Sequence, residues 1–384
     1  MTRKSNRRDF LRGKSAAQAM ADAARAALPE DTQNPPPHCQ SHHDQSPHDQ
    51  GEKGYLLQIC RQAMACEFEV CLNAGQYPHG MDTALEALDV VDSLEELLSI
   101  FRHDSQLAEV NQFAADGPVA VDERVFELLE LCARLNSQTD GALDISAGPL
   151  SDAWGFSRRG GSIPSDAGLA AAMQSVGMKN VALDADDQSV HFLRRGMRLN
   201  LGAIGKGYAL DRAAEVFETA GIRDFIIHGG QSSVLARGSS LENRAVLKPD
   251  DAEAEDPAAG WTVGVAHPLR PDRRLAEIRL ENRALATSGS ARQFFRHKGR
   301  RYSHILDPRS GQPAQGVLSA TVLAPTAAEA DALSTAVFVL GRDRSQELLE
   351  SRTDIGVLMA LPLGGGSRVE IATFGVDEQD FCII

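Results

Sequence analysis

From Tyr55 onward the chain switches between two hydrophobic periods. Residues 55–74, "YLLQICRQAMACEFEVCLNA", alternate through Phe68, Val70 and Leu72, the two-residue period of a strand with one buried face. Residues 81–101 instead place Leu85, Leu88, Val91, Leu94, Leu97 and Leu98 at three- and four-residue steps, which predicts a long amphipathic helix. A second helix is predicted over 123–136, and a third starting near Tyr208 and stopping at Gly221 as its C′ residue. The run "DFIIHGG", 224–230, reads as a short buried strand that ends in glycines. Further strands are predicted at 261–266, 274–280, 318–324 and 355–361, and a helix over 327–340 that ends at Gly341. Glycine, proline and acidic residues crowd 238–260, the composition of a surface insertion between strands. No internal repeat is present. Helices and strands mix without strict alternation, so the expected fold class is α+β, a single mixed α/β body rather than a doubly wound parallel sheet.

Before Tyr55 the periodicity disappears. Residues 29–54 are rich in Pro, His, Gln and Asp and cannot bury enough surface to offset their ordering entropy, which predicts a disordered linker. Residues 1–28 contain Arg7-Arg8-Asp9-Phe10-Leu11-Arg12, similar to a twin-arginine export signal. Gln18, Asp22 and Arg25 interrupt the apolar segment that should follow, so a basic tail is the alternative. The expected organisation is therefore a signal or tail (1–28), a linker (29–54) and one folded domain (55–384). Export would put that domain on the periplasmic side or at the membrane periphery; otherwise it is cytoplasmic.

Composition narrows the function. The 384 residues carry a net charge of -14, which argues against a general nucleic-acid or anionic-membrane binder. An acidic protein that handles a polyanion needs a divalent cation or a local basic pocket. No apolar run reaches the ~18 residues of a membrane span. The six cysteines (Cys39, Cys60, Cys66, Cys71, Cys132, Cys382) include no Cys-x-x-Cys pair, and mostly free, buried thiols are expected.

Four stretches carry candidate chemistry. "NLGAIGKGYALD", 200–211, has the glycines and lysine of a phosphate loop but not its spacing. The dinucleotide fingerprint fails there too. What remains is a close backbone approach near a helix N-terminus, suited to an anion, or simply a tight turn. In "DALST", Asp331 and Thr335 stand at i and i+4 on one helix face and can converge on a hard cation, or else begin a solvated helix. Residues 286–313 hold the hydroxyl-rich turn Thr287-Ser288-Gly289, the turn Asp307-Pro308-Arg309-Ser310-Gly311, and His304, an acid/base candidate beside it. In "GALDISAGPLSDAWGF", 141–156, Ala142 and Asp144 are candidates to meet a ligand, whereas Trp154 and Phe156 read as core.

Taken in order, these pieces resemble the FAD:protein FMN transferase (ApbE-like) family. The resemblance runs from about Ala63 to Gly341 and rests on the Met64 turn with Phe68, "FRHDSQLAEVNQ" with Ser105 and Asn111, the four stretches above, and "HGG" at 228–230. Each motif is weak alone; their order is what makes the match specific. It implies Mg²⁺-dependent transfer of FMN from FAD to a threonine or serine hydroxyl of an acceptor flavoprotein, such as a redox-complex subunit, with AMP leaving. By the same resemblance the Ala203 carbonyl, Asp331 and Thr335 hold Mg²⁺, and Lys206 faces the diphosphate or supports its loop. Met64, Ala142, Asp144, Asn200, Ser288 and Ile305 line the FAD pocket, and His304 activates the acceptor hydroxyl. A FAD pyrophosphatase that uses water, or a non-catalytic FAD-binding protein, are the alternatives. The chain departs from the family pattern at Ala65-Cys66, where Gly-Thr is usual, at Asn200 and Gln231, where acids are common, and at Ala291, often aromatic.

Overall fold

The computed structural model describes residues 55–158, 160–241, 259–291, 293–364, 368–376 and 381–384. The expected signal and linker, and most of the expected 238–260 insertion, lie outside the described residues. The first alternating segment is a hairpin. Leu56–Ala63 and Cys66–Asn73 pair antiparallel with Ala63 opposite Cys66. Met64 and Ala65 make its two-residue turn at φ 49° and 60°, the positive pair that matches the twist of paired strands.

That hairpin opens an eight-stranded sheet whose strands lie side by side in chain order, every pair antiparallel. The other six are Phe225–Gly229, Ser233–Arg237, Ala284–Gly289, Ser319–Ala324, Gly356–Leu363 and Arg368–Phe374. The excursions between them make two further layers. Between the second and third strands run the helices Gly80–Leu98, Glu123–Gln138 and Gly205–Thr219, among others, and between the sixth and seventh runs Ala327–Leu349. The fourth-to-fifth connection contributes Trp261–His267 and Arg270–Leu280, which with Phe381–Ile383 form a three-stranded sheet.

Alternation assigns each strand residue to a layer. Phe68, Val70, Ile227, Leu235, Val322 and Val357 pack into the helices. Their neighbours Cys71, Ile226, Val234, Leu323 and Leu358 pack against Trp261, Ile278 and Leu280 of the small sheet. The fold class is α+β, as the mixed pattern implies.

One helix boundary differs from the sequence expectation. The third helix starts at Gly205, not near Tyr208, so Lys206 and Gly207 belong to its first turn. The helix that starts at Ala327 does end at Gly341, whose φ 73° and ψ −173° are non-helical, and a second helical segment follows to Leu349. Gly221 does close its helix: at φ +74° it is followed by Ile222, whose N–H reaches the Phe217 carbonyl at 2.9 Å. The described cysteines are all free, but Cys60 and Cys382 are exposed rather than buried. Among the described residues no helix is long and apolar enough to cross a membrane.

Candidate active site

One end of the large sheet gathers the chemistry. The first, third and fifth strands stop there at Ala63, Gly229 and Gly289, and the second, fourth and sixth start there at Cys66, Ser233 and Ser319. The Gly205–Thr219 and Ala327–Leu349 helices cross just behind this edge. They approach so closely that a Cβ on Gly207 would sit 2.0 Å from the Ala327 carbonyl oxygen. Only glycine fits.

The two helices cap each other. The first N–H groups of a helix have no partner within it. Asp211, on the first helix, accepts from the N–H groups of Ala327 (2.7 Å) and Ala328 (2.8 Å) on the second. Asp331, on the second, accepts from the Gly207 N–H at 3.2 Å on the first. Burial pushes the Asp211 carboxyl up to about 6 against the pull of those two N–H groups. The exchange has a consequence for Ala203. Its carbonyl is the ordinary helical acceptor for Gly207, and with that N–H turned to Asp331 no backbone hydrogen bond reaches it among the described residues.

Asp331 is 5% exposed, and three donors meet its carboxylate, the Gly207 N–H among them. Lys206 Nζ lies 3.1 Å from Oδ2 and 3.3 Å from Oδ1, and the buried Ser233 hydroxyl donates to Oδ1 at 3.1 Å. Thr335, one turn on, shares a hydrogen bond with Ser288 at 3.0 Å, and Ser288 also meets Ser334 at 2.8 Å. The structure therefore brings Ala203, Lys206, Ser288, Asp331 and Thr335 to one place. Cys66 borders it: a Cβ on Gly230 would lie 3.2 Å from its sulfur. Burial raises the Cys66 thiol pKa, Lys206 opposes the rise, and Asp331 and Glu95 add to it.

The other candidates stand on the surrounding loops. Met64 occupies the hairpin turn two residues before Cys66. Asn200 donates its N–H to the Ile145 carbonyl at 2.7 Å, which ties its loop to the 142–145 segment. Its side-chain oxygen accepts from the Gly202 N–H at 2.9 Å, a turn that an amide supports as well as a carboxylate would. Ala142 is buried in the main core, so only its backbone can face a ligand. The Asp144 carboxylate is turned inward, accepting from Ser146 N–H (2.8 Å), Ser146 Oγ (2.6 Å) and Met178 N–H (3.2 Å). Ser105 and Asn111 are structural: one caps the Gln106–Phe113 helix, and the other is bonded both ways to Leu199.

His304 sits where the hairpin of Phe294–His297 and Arg300–Ser303 returns. Its Nδ1 is 3.0 Å from the Gln293 carbonyl, which can only accept, so Nδ1 carries the proton and Nε2 keeps its lone pair. Burial lowers the His304 pKa and the Gln293 contact offsets part of that, which favours the neutral ring. Ile305 beside it is buried. Downstream, Asp307 holds Arg309 through two contacts, at 2.9 and 3.0 Å, and Gly311 accepts the Trp154 indole N–H at 2.8 Å, which confirms Trp154 as core. Ser233 and Asp211 escaped the sequence reading. A serine after "HGGQ" and an acid four residues past Gly207 carry no signal until strand and helix are brought together.

The mixed three-layer body thus holds a buried carboxylate paired with a lysine at two crossed helix starts. The structure aligns with the ApbE protein of Thermotoga maritima at TM-score 0.70 and 28% identity, covering 82% of this chain and 96% of that one. It aligns with the flavin transferase ApbE from Vibrio cholerae at TM-score 0.69 and 25% identity, covering 84% and 97%. Residues 64–359 match the profile of the ApbE family. The FAD:protein FMN transferase of Salmonella typhimurium is 30% identical over 302 residues, 76% of this chain and 81% of that protein. The one of Haemophilus influenzae is 30% identical over 285 residues, 72% and 78%. The chain belongs to the ApbE family.

Proposed function

We propose that this chain is a Mg²⁺-dependent FAD:protein FMN transferase, acting on a threonine or serine hydroxyl of an acceptor flavoprotein and releasing AMP. The observation that carries the reading is that the Asp331 carboxylate takes the Gly207 N–H, the ordinary helical donor to the Ala203 carbonyl, with Thr335 one turn along from Asp331. These are hard oxygen donors, the set that suits Mg²⁺, whose remaining positions take water or substrate phosphate oxygens. The curated relatives named FAD:protein FMN transferase support the same chemistry. Bound there, the cation would neutralise the diphosphate and polarise the reacting phosphoryl group.

The chain's own residues supply the rest. Lys206 adds positive charge beside the diphosphate, and the loops of Met64, Asn200, Ser288 and Ile305 surround the flavin nucleotide. His304, neutral with its lone pair on Nε2, takes the proton from the acceptor hydroxyl. The hydroxyl oxygen bonds to the FMN phosphorus as the bond from that phosphorus to the AMP oxygen breaks. AMP leaves, and FMN stays attached through a phosphoester. The Arg7-Arg8 segment favours an acceptor on the periplasmic side, such as a subunit of a redox complex.

Incubating the full chain with FAD and Mg²⁺, with and without a candidate acceptor, tests the reading. AMP that forms only with acceptor, together with a fluorescent acceptor band in a denaturing gel, is the expected result. AMP without acceptor identifies a pyrophosphatase, and bound FAD with no AMP under either condition sinks both catalytic readings.

A further inference from the structure

An ionised carboxylate offers about four lone-pair sites, and those of Asp331 are all taken. Oδ1 accepts from Ser233 Oγ and Lys206 Nζ; Oδ2 accepts from Gly207 N–H and the same Nζ. A cation reaches this carboxylate only when one donor leaves, and the three differ in what leaving costs. The Gly207 N–H lies in the buried first turn of its helix and meets Asp331 there. A buried N–H left unpaired costs roughly 1–3 kcal/mol. Ser233 is fully buried, and beyond Asp331 its hydroxyl has only a long 3.4 Å contact to Ser232. Lys206 alone reaches solvent, with 22% of its side chain exposed. Its flexible stem and strongly hydrated ammonium group make it the donor that departs.

We infer that Lys206 and the divalent cation exchange on Asp331. Without cation, the Lys206 ammonium contacts both oxygens of the nearly buried Asp331 carboxylate and holds the place the cation would take. With cation bound, like charge drives the ammonium off the carboxylate and leaves it free to meet the substrate diphosphate. Lys206 is thus a positioning residue whose two placements are coupled to metal occupancy, and it weakens metal binding in the absence of substrate. This rests on the Mg²⁺ assignment of the proposed function.

Calorimetric titration of Mg²⁺ into the full chain without FAD tests it, comparing wild type with Lys206→Met and Lys206→Gln. Removing the competing charge should tighten Mg²⁺ binding by about tenfold or more in both variants. Both should also melt at lower temperature in EDTA, and Mg²⁺ should raise their melting temperature more than it raises that of wild type. At saturating Mg²⁺, both should bind FAD more weakly than wild type. Equal or weaker Mg²⁺ binding by variants with native circular dichroism overturns the exchange while leaving the metal site in place. An absence of Mg²⁺ binding by wild type and variants alike overturns the metal assignment and the exchange together.

Discussion

On one face of the large sheet, Leu285, Leu323 and Leu358 meet Trp261 and Ile278 of the small sheet; on the other, Ala286, Val322 and Val357 meet the helices. Both faces follow the same alternation and bury comparable side chains. The helical face differs because it brings two helix starts together. Strands satisfy their backbone groups along the ladder, so sheet packed on sheet joins side chains alone. Helix starts expose unpaired N–H groups, and here those groups meet the carboxylates of Asp211 and Asp331. Fold stability draws on both faces; the cation and phosphate chemistry draws on one.

Substitutions can break that division. Asp331→Ala should lower Mg²⁺-dependent turnover by roughly 10³-fold, on the scale of losing a group that stabilises transition-state charge. Unchanged turnover removes Asp331 from the site. Leu358→Ala, on the opposite face, should cost about 2–5 kcal/mol in urea unfolding, while kcat/KM per folded molecule stays at the wild-type value. A selective loss of activity there would dissolve the comparison.

Gly207→Ala should cost about 3 kcal/mol, because the added methyl meets backbone that cannot swing aside, and it should loosen both caps. A fall below ~1 kcal/mol in denaturant unfolding would show that the helices separate easily. The smallest effect is a pH slope. The Asp211 pKa is raised from 3.8 to about 6 in the folded state, so its contribution is fully present below about pH 4 and is lost as pH rises through about 6. That contribution is up to roughly 3 kcal/mol. Unfolding midpoints measured from about pH 4 to pH 7 should carry this slope in wild type and lose it in Asp211→Asn. An identical slope in the variant assigns it to another group.

Much of this was legible in the residues. Strands at Phe225–Gly229, Ser319–Ala324 and Gly356–Leu363 fall on short apolar runs, because a sheet covered on both faces calls for apolar or small side chains at nearly every position. Asp331 and Thr335 were readable as a pair because i and i+4 share a helix face. Lys206 was harder to place. The spacing in "GAIGKG" excludes a phosphate loop, but putting the helix start at Tyr208 left the lysine in a loop, whereas the first turn holds it against Asp331. Gly207, which the sequence offers as part of a close backbone approach or a tight turn, is the contact point of two helices.

The sequence by itself determined the periods, hence the strands, the amphipathic helices and the mixed class, since these depend on neighbours within a few residues. Its ordered motifs also determined the family resemblance. The tertiary structure alone decided that Asp211 and Asp331 cap each other's helices, that Ser233 joins the second of them, and that the Gly207 N–H goes to Asp331 in place of the Ala203 carbonyl. Those relations link residues about a hundred positions apart, from Lys206 and Ser233 to Asp331. Local periodicity has no memory at that range; only the crossing of two helices over one sheet edge brings them within hydrogen-bond reach.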